Sequence, residues 1–507
     1  MKTTRGIYRA TALSIALSLA IGGPTASGQA RAPRQRAVLI QGGTIFTAGP
    51  DGTIQEGTLV LRRGKIAAVR RGSGRRGRPS AGITRIDAEG LFVTPGLIDA
   101  WTDAGTVTGG RGVSGRAAGR AIDLFDVYDR HVLEAALRGG VTVICLEPGA
   151  RRGFVGRSAL VRLANPDAAL EATTEDVCLL ARVGLGKVGP FARLKEIASL
   201  RSVLREAKTY RETWEDYEEE LEEYVKGLKS GKTVKLGEKK EKKARKSPRR
   251  GRRPPAGRRR RGRRPRPRPR PRDASAETRP DVMNDPGESP DGGGLAFAQD
   301  DKKKKDSDEK KKGGLTKPER PTRDLDKEVL VKVLKRELPV RFEAHRPADI
   351  VNILELVRTF NLDAAIIGAS GGRYVAKDLA EAEVPVILGP MIGSALWGKG
   401  HARDLSPENA ARLDAAGVSI VIASGRGTKT RYLAQIAAVA VGHGLSREAA
   451  LRAITIGAAK VCGVADRLGS LEVGKRADVV VWSGHPFEAG SVVEYVFVDG
   501  QEVYHRE

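Results

Sequence analysis

The feature that most restricts this chain's fold is an alternation of short apolar, β-branched runs with segments of helical periodicity. Compact strand patterns fall at residues 141–147, 177–183, 340–344, 364–369, 384–388 and 419–423, preceded by a buried pattern at 91–100. Helical patterns lie between several of them, at 347–360, 407–416 and 430–441. Strands separated by helices pair in parallel, because a parallel return needs a long crossover. The number of repeats predicts a (β/α)₈ TIM-type barrel in preference to an open five- or six-stranded sheet. Both flanks read differently. Runs at 37–46, 58–61 and 65–69 are separated by Gly42-Gly43, Asp51-Gly52 and Arg63-Gly64, and the chain ends in further runs at 478–482 and 492–504. Those are strand and turn signals, so each end is β-rich.

Charge is the next constraint, since 89 Lys and Arg against 62 Asp and Glu give a net +27 over 507 residues. A balance of that size points to nucleic acid until its location is known. Residues 226–272 hold 24 basic and two acidic side chains, and 273–320 hold 10 basic and 12 acidic. The first 30 residues add three positive charges, from Lys2, Arg5 and Arg9. The remainder is close to neutral, so the charge belongs to one segment. Residues 1–30 read as an export signal: a positive start, an apolar run at 10–21, and Gly28-Gln29-Ala30 as a cleavage region. Export to the periplasm or beyond the cell is therefore expected, and it sets nucleic acid aside as a partner.

The segment 191–228 reads as a long helix, with Trp214, Tyr217, Leu221, Tyr224 and Leu228 forming a seam expected to pack on the barrel. Residues 212–223 place eight acids on its other faces. The insertion 231–325 follows and includes Arg-Pro alternation at 263–272, which neither pairs in a sheet nor propagates a helix. It is expected to be disordered. Its tract 232–272 suits anionic envelope polymers or lipid headgroups, because guanidinium groups match phosphate and carboxylate.

Three motifs carry a family resemblance. Val93-Thr94-Pro95-Gly96-Leu97-Ile98-Asp99-Ala100 resembles the first barrel strand of the amidohydrolase superfamily. Gly469-Ser470-Leu471-Glu472-Val473-Gly474-Lys475-Arg476-Ala477-Asp478 is similar to its C-terminal signature, and Gly42-Gly43-Thr44-Ile45 to its opening strand. Within that superfamily, the chain resembles the exported imidazolonepropionase-like members. The resemblance implies a (β/α)₈ barrel plus a small β-sandwich built from both chain ends. In these terms the sandwich comprises 37–90 and 466–507, and the barrel comprises 91–230 and 326–465. It also implies hydrolysis of non-peptide C–N bonds by a divalent, zinc-type metal that activates water.

The ligand positions that the resemblance implies are largely replaced. The first two histidines fall on Trp101 and Asp103; indole has no lone pair for a metal, whereas a carboxylate ligates through oxygen. The strand-four ligand falls near Leu185, the strand-six histidine near Ala369 and the strand-eight aspartate near Gly425. The strand-five histidine is kept as His345. His345 and Asp103 are thus the candidate metal ligands, too few for a catalytic zinc site, so the metal is expected to be absent or weakly held. Trp101, Asp103, His345, Arg346, Ser370, Arg373 and Arg426 are the barrel-mouth candidates, with room for a small-molecule ligand. Ser370-Gly371-Gly372-Arg373 reads as a helix start whose N–H groups suit an anion. His401 reads as a loop residue, His443 as a helix cap, and His485 and His505 as part of the terminal β region. Cys145, Cys178 and Cys462 read as small core residues. The expectation is a degenerate amidohydrolase-like protein that binds or scaffolds. The alternatives are an active C–N hydrolase with a reduced or relocated site, and an envelope-tethered binding protein.

Overall fold

The computed structural model describes residues 37–72, 82–106, 116–126, 128–149, 153–163, 172–184, 190–230, 315–389, 406–425 and 429–507. The export segment, most of the basic insertion, Leu185, His401 and Arg426 lie outside them. The chain divides into two compact units, Met1–Thr213 with Thr322–Glu507, and Trp214–Pro321.

The larger unit holds two eight-stranded sheets. The first is formed by β1 (Ala37–Phe46), β2 (Thr53–Arg62), β3 (Lys65–Arg70), β4 (Ile83–Asp87) and β5 (Phe92–Pro95), completed from the far end of the chain. The second runs in chain order through β6 (Leu97–Thr102), β7 (Val141–Leu146), β8 (Gly153–Arg162), β9 (Ala172–Arg182), β10 (Val340–Ala344), β11 (Ala364–Gly368), β12 (Val386–Leu388) and β13 (Ile420–Ile422). Thr102 bridges to Gly425, whose N–H donates to the Trp101 carbonyl at 3.0 Å, so the sheet nearly closes on itself. This is the expected barrel. The strands β14 (Val479–Trp482), β15 (Val493–Val498) and β16 (Gln501–His505) finish the first sheet, where β14 pairs with β5. The terminal β region is therefore one continuous sheet drawn from both chain ends, and residues from most of its strands share a single apolar cluster.

Two details depart from the sequence expectation. The run 91–100 is two strands, because Gly96 lets the chain leave one sheet and enter the other. A Cβ at Gly96 would stand 2.2 Å from Thr142 Oγ1, so only hydrogen fits there. One barrel stave, β8, is antiparallel to both neighbours. Its Gly- and Arg-containing sequence gives no clean strand pattern, and no helix separates it from β7.

Helices cover the barrel: α1 (Arg130–Arg138), α2 (Pro190–Lys229), α3 (Leu325–Leu334), α4 (Pro347–Phe360), α5 (Ala376–Glu381), α6 (Asn409–Ala415), α7 (Leu433–Gly442), α8 (Arg447–Ala453) and α9 (Ile456–Val461). Sequence chemistry sets their ends. Asp129, Asp324 and Ser446 cap α1, α3 and α8 by accepting from backbone N–H groups, and Asn361 closes α4 in the left-handed region. The expected long helix is α2, whose Ile197, Leu200, Leu204 and Ala207 belong to the larger unit and enter the main apolar cluster. In the smaller unit Trp214 meets Tyr217 edge-on at 5.8 Å and carries the Arg320 guanidinium at 5.6 Å.

Arg162, fully buried at the end of β8, joins the barrel to the terminal sheet. It donates to both carboxylate oxygens of Asp478, Nε at 3.0 Å, and also to Asp499, which Arg476 holds from outside at 2.7–2.8 Å.

Candidate functional site

Strand β10 shows how the barrel interior is built. Val340, Phe342 and Ala344 face the helices and join the main apolar core, so the two-residue period turns Arg341, Glu343 and the following His345 inward. On β9 the same period sends Cys178, Leu180 and Arg182 inward, and on β7 it sends Val143, Cys145 and then Glu147. The interior thus carries two polar layers, one around Arg341 and one nearer the carboxyl ends of the strands around Arg182.

In the upper layer the Arg182 guanidinium lies between two buried carboxylates. Its Nε donates to Glu343 Oε2 at 2.5 Å and its Nη2 to Glu147 Oε2 at 2.9 Å. Trp101, only 2% exposed, donates its indole N–H to the same Glu147 oxygen. The other Glu343 oxygen stands 4.0 Å from His345 Nε2, and His345 Nδ1 is 2.8 Å from Ser370 Oγ. A buried charge is tolerable when it is paired and hydrogen-bonded, and this layer meets that condition without outside help.

The candidate residues therefore separate. Trp101, His345 and Ser370 come together in or beside this layer. Trp101 fills the barrel interior at this level. Asp103 sits half-buried just past β6, where its carbonyl accepts from the Thr106 N–H at 3.1 Å and hydroxyl at 2.7 Å. Arg346 precedes α4 without capping it. Arg373 lies over the Tyr374 ring at 4.3 Å and donates to the Ser370 carbonyl at 3.3 Å. The anion site expected at 370–373 is not open. Gly371 N–H donates to His345 O, Gly372 N–H to Ala369 O, and Arg373 N–H to Asn409 Oδ1. His443 caps α7 as expected; His485 packs between Phe92 and Phe487, and His505 stacks on Tyr495.

A third polar cluster surrounds Asp99 on β6. Its carboxylate accepts from the Ser424 N–H at 3.0 Å and from the Ser424 hydroxyl, while Thr430 lies 2.8 Å from Thr102. Complete burial pushes the Asp99 carboxyl up to about 6, against the lowering effect of these hydrogen bonds.

Sequence reasoning overlooked Glu147, Arg182, Arg341 and Glu343. The available signal was charge inside otherwise apolar strands, most plainly the alternation Val340-Arg341-Phe342-Glu343-Ala344-His345. It also overlooked that Gly368-Ala369-Ser370-Gly371-Gly372 has the G-x-S-x-G spacing of a nucleophile elbow, here at a strand end with Ala369 at φ 39°.

A divalent cation does not fit this arrangement. The two buried carboxylates of this layer are already neutralised by a guanidinium lying between them, and the tryptophan donor covers one. Among the described residues, no three or more His, Cys, Asp or Glu side chains gather as a metal-binding group.

Residues 426–504 match the model of the amidohydrolase family. An amidohydrolase from Thermotoga maritima MSB8 has the same fold, with a TM-score of 0.64 and 23% identity over 92% of this chain and 100% of that one. More distant are an uncharacterized protein (TM-score 0.49, 15% identity, 93% of this chain and 100% of that one) and a zinc-bound adenosine deaminase from Xanthomonas campestris (0.44, 16%, 92% of each). No curated protein matches. Residues 426–504 are thus similar in sequence to the amidohydrolase family, and the chain shares the fold of the Thermotoga maritima amidohydrolase.

Proposed function

We propose that this chain uses the amidohydrolase barrel as a binding or scaffold element and does not perform the family's metal-dependent C–N hydrolysis. The observation that carries this reading is the Glu147–Arg182–Glu343 clamp under Trp101. A guanidinium supplies there, as a fixed part of the chain, the positive charge that a metal supplies in a hydrolytic barrel. It has no exchangeable coordination position and activates no water. The test is metal analysis of the purified full chain after incubation with zinc, manganese or cobalt, with hydrolysis assays on N-acyl amino acids and cyclic amides. Stoichiometric metal accompanied by amide hydrolysis overturns the reading.

One observation favours a relocated hydrolytic site, namely the 2.8 Å contact of Ser370 Oγ with His345 Nδ1 at a G-x-S-x-G turn. In that reading Ser370 attacks an acyl carbonyl, His345 takes its proton, and Glu343 orients the ring from the other side. Labelling of Ser370 by a fluorophosphonate, lost in His345→Ala, supports it; an unlabelled Ser370 removes it.

Export, and tethering of the protein to anionic envelope polymers or lipid headgroups through 232–272, complete the proposal. The composition of that tract supports it. Retention on anionic vesicles at low salt that survives deletion of the tract overturns the tether.

A further inference from the structure

The lower polar layer presents a charge without a carboxylate. Arg341 is fully enclosed in the barrel, 2% exposed, and among the described residues no Asp or Glu pairs with it. Its Nη1 donates to the Ala100 carbonyl at 2.8 Å and its Nη2 to the Val461 carbonyl at 3.1 Å, while its Nε has no partner. Two neutral carbonyls do not balance a buried guanidinium; an anion does. The candidates are sulfur. Cys145 Sγ lies 3.4 Å from Nη1 and Cys462 Sγ lies 3.4 Å from Nη2. The chain's three cysteines, from β7, β9 and the end of α9, all surround this one side chain.

The two nearest thiols are not equivalent. Cys145 donates its S–H to Cys462, which raises Cys145 and lowers Cys462. For Cys462, that hydrogen bond and Arg341 outweigh burial and the repulsion from Asp99. Cys178 is raised by burial, although Ser158 and Arg341 oppose that, and it remains a thiol. Charge balance calls for one thiolate beside Arg341, and of the two sulfurs at 3.4 Å it is Cys462 that lies in the wall of a cavity.

Access is from the end of the barrel opposite the clamp. A cavity of about 740 Å³ opens at the amino ends of β10–β13 and has Arg341, Val461 and Cys462 in its wall. Cys462 is 4% exposed, so only a small electrophile reaches the sulfur. A thiolate beside a cation, at the base of a cavity and in contact with a second thiol, is suited to two-electron oxidation.

We propose that Cys462 is a peroxide-reactive thiolate held by Arg341, with Cys145 as its resolving thiol. The Cys462 thiolate attacks one oxygen of a hydroperoxide, the O–O bond breaks, and the departing oxygen leaves as water or alcohol after taking a proton. This leaves Cys462 as the sulfenic acid. Cys145 then attacks that sulfur, the S–O bond breaks, and water leaves with the Cys145 proton. Two thiols are oxidised to one disulfide and one hydroperoxide is reduced. This activity is independent of whatever occurs at the carboxyl end of the barrel.

The test uses the full chain and hydrogen peroxide, with alkylation and peptide mass spectrometry. The expected product is a Cys145–Cys462 disulfide formed roughly tenfold or more faster than free cysteine oxidises at neutral pH, because the free thiol is mostly protonated there. Cys145→Ser is expected to stop at a sulfenic acid on Cys462 that dimedone traps. Cys462→Ser is expected to leave Cys145 reduced, and Cys178→Ser to change neither product. Arg341→Met, checked for folding by circular dichroism, is expected to abolish the rate advantage, and Arg341→Lys to restore part of it. Oxidation of Cys462 no faster than free cysteine, or a disulfide that includes Cys178, overturns the proposal. If Arg341→Met does not fold, the serine variants decide by themselves.

Discussion

Replacing Arg182 with alanine removes the cation that two buried carboxylates share. Glu147 and Glu343 are each about 4% exposed or less, and neither gains a new donor from the truncation. Breaking a buried pair by deleting one partner costs about 3–5 kcal/mol, a large part of the roughly 5–15 kcal/mol that holds a typical domain together. The melting temperature should fall by on the order of 10 °C at neutral pH. The pH dependence gives a more specific signature. With the guanidinium gone, burial and mutual repulsion push one carboxyl upward in the folded state while its unfolded value stays near 4.3. A raised carboxyl adds stability at low pH and loses it as pH climbs through the folded value. The deficit of Arg182→Ala against the parent should therefore be small at pH 5 and large at pH 8, read by urea denaturation at both. The freed Glu147 and Glu343, with His345 beside them, should also take up zinc. Zinc at a hundred times its dissociation constant should return about 2.7 kcal/mol to the variant and nothing to the parent. A variant as stable as the parent at both pH values, and indifferent to zinc, would falsify the clamp as the occupant of the family's metal position.

Two further outcomes follow from the geometry. Asp99, raised to about 6 by burial, contributes stability that is full below about pH 4 and lost between there and pH 6, on the order of 3 kcal/mol; Asp99→Asn should lack that decline, so the parent-minus-variant curve, flat outside this window, should fall by that amount across it. An unchanged curve would show that Asp99 titrates normally. Gly96→Ala places a methyl 2.2 Å from Thr142 Oγ1 and should cost roughly 1–3 kcal/mol by denaturant titration. Adding Thr142→Ala should recover part of that, and additive costs would refute the close approach.

The sequence displayed the barrel well because its staves are apolar and its helices periodic: β10 and α4 fall where their patterns place them. It displayed the site poorly for a physical reason. Glu147 follows β7 while Arg182 and Glu343 stand on β9 and β10, and only the sheet order β7-β8-β9-β10 makes the three neighbours. A charge in an apolar strand reveals that something compensates it, without revealing what. Gly96 was read within one continuous strand because a change of sheet leaves the hydrophobic pattern unbroken. The Ser370–His345 contact depends on a turn after β11, which spacing alone represents as a plain helix start. Arg341 and the cysteines were separately visible, but their meeting required the closed sheet.

The terminal sheet imposes an order on biosynthesis. Strand β5 has β1 on one side and β14 on the other, and β14 is synthesised only after the whole barrel. Until then β5 presents an unsatisfied apolar edge, and Arg162 lacks both Asp478 and Asp499. Contacts spanning most of the chain close slowly and leave exposed strand edges while they wait. A nascent chain released before Val479 would carry a complete set of barrel strands alongside an open, aggregation-prone edge. The last thirty residues therefore act as the fastener of the molecule, and their arrival separates a soluble fold from a sticky intermediate.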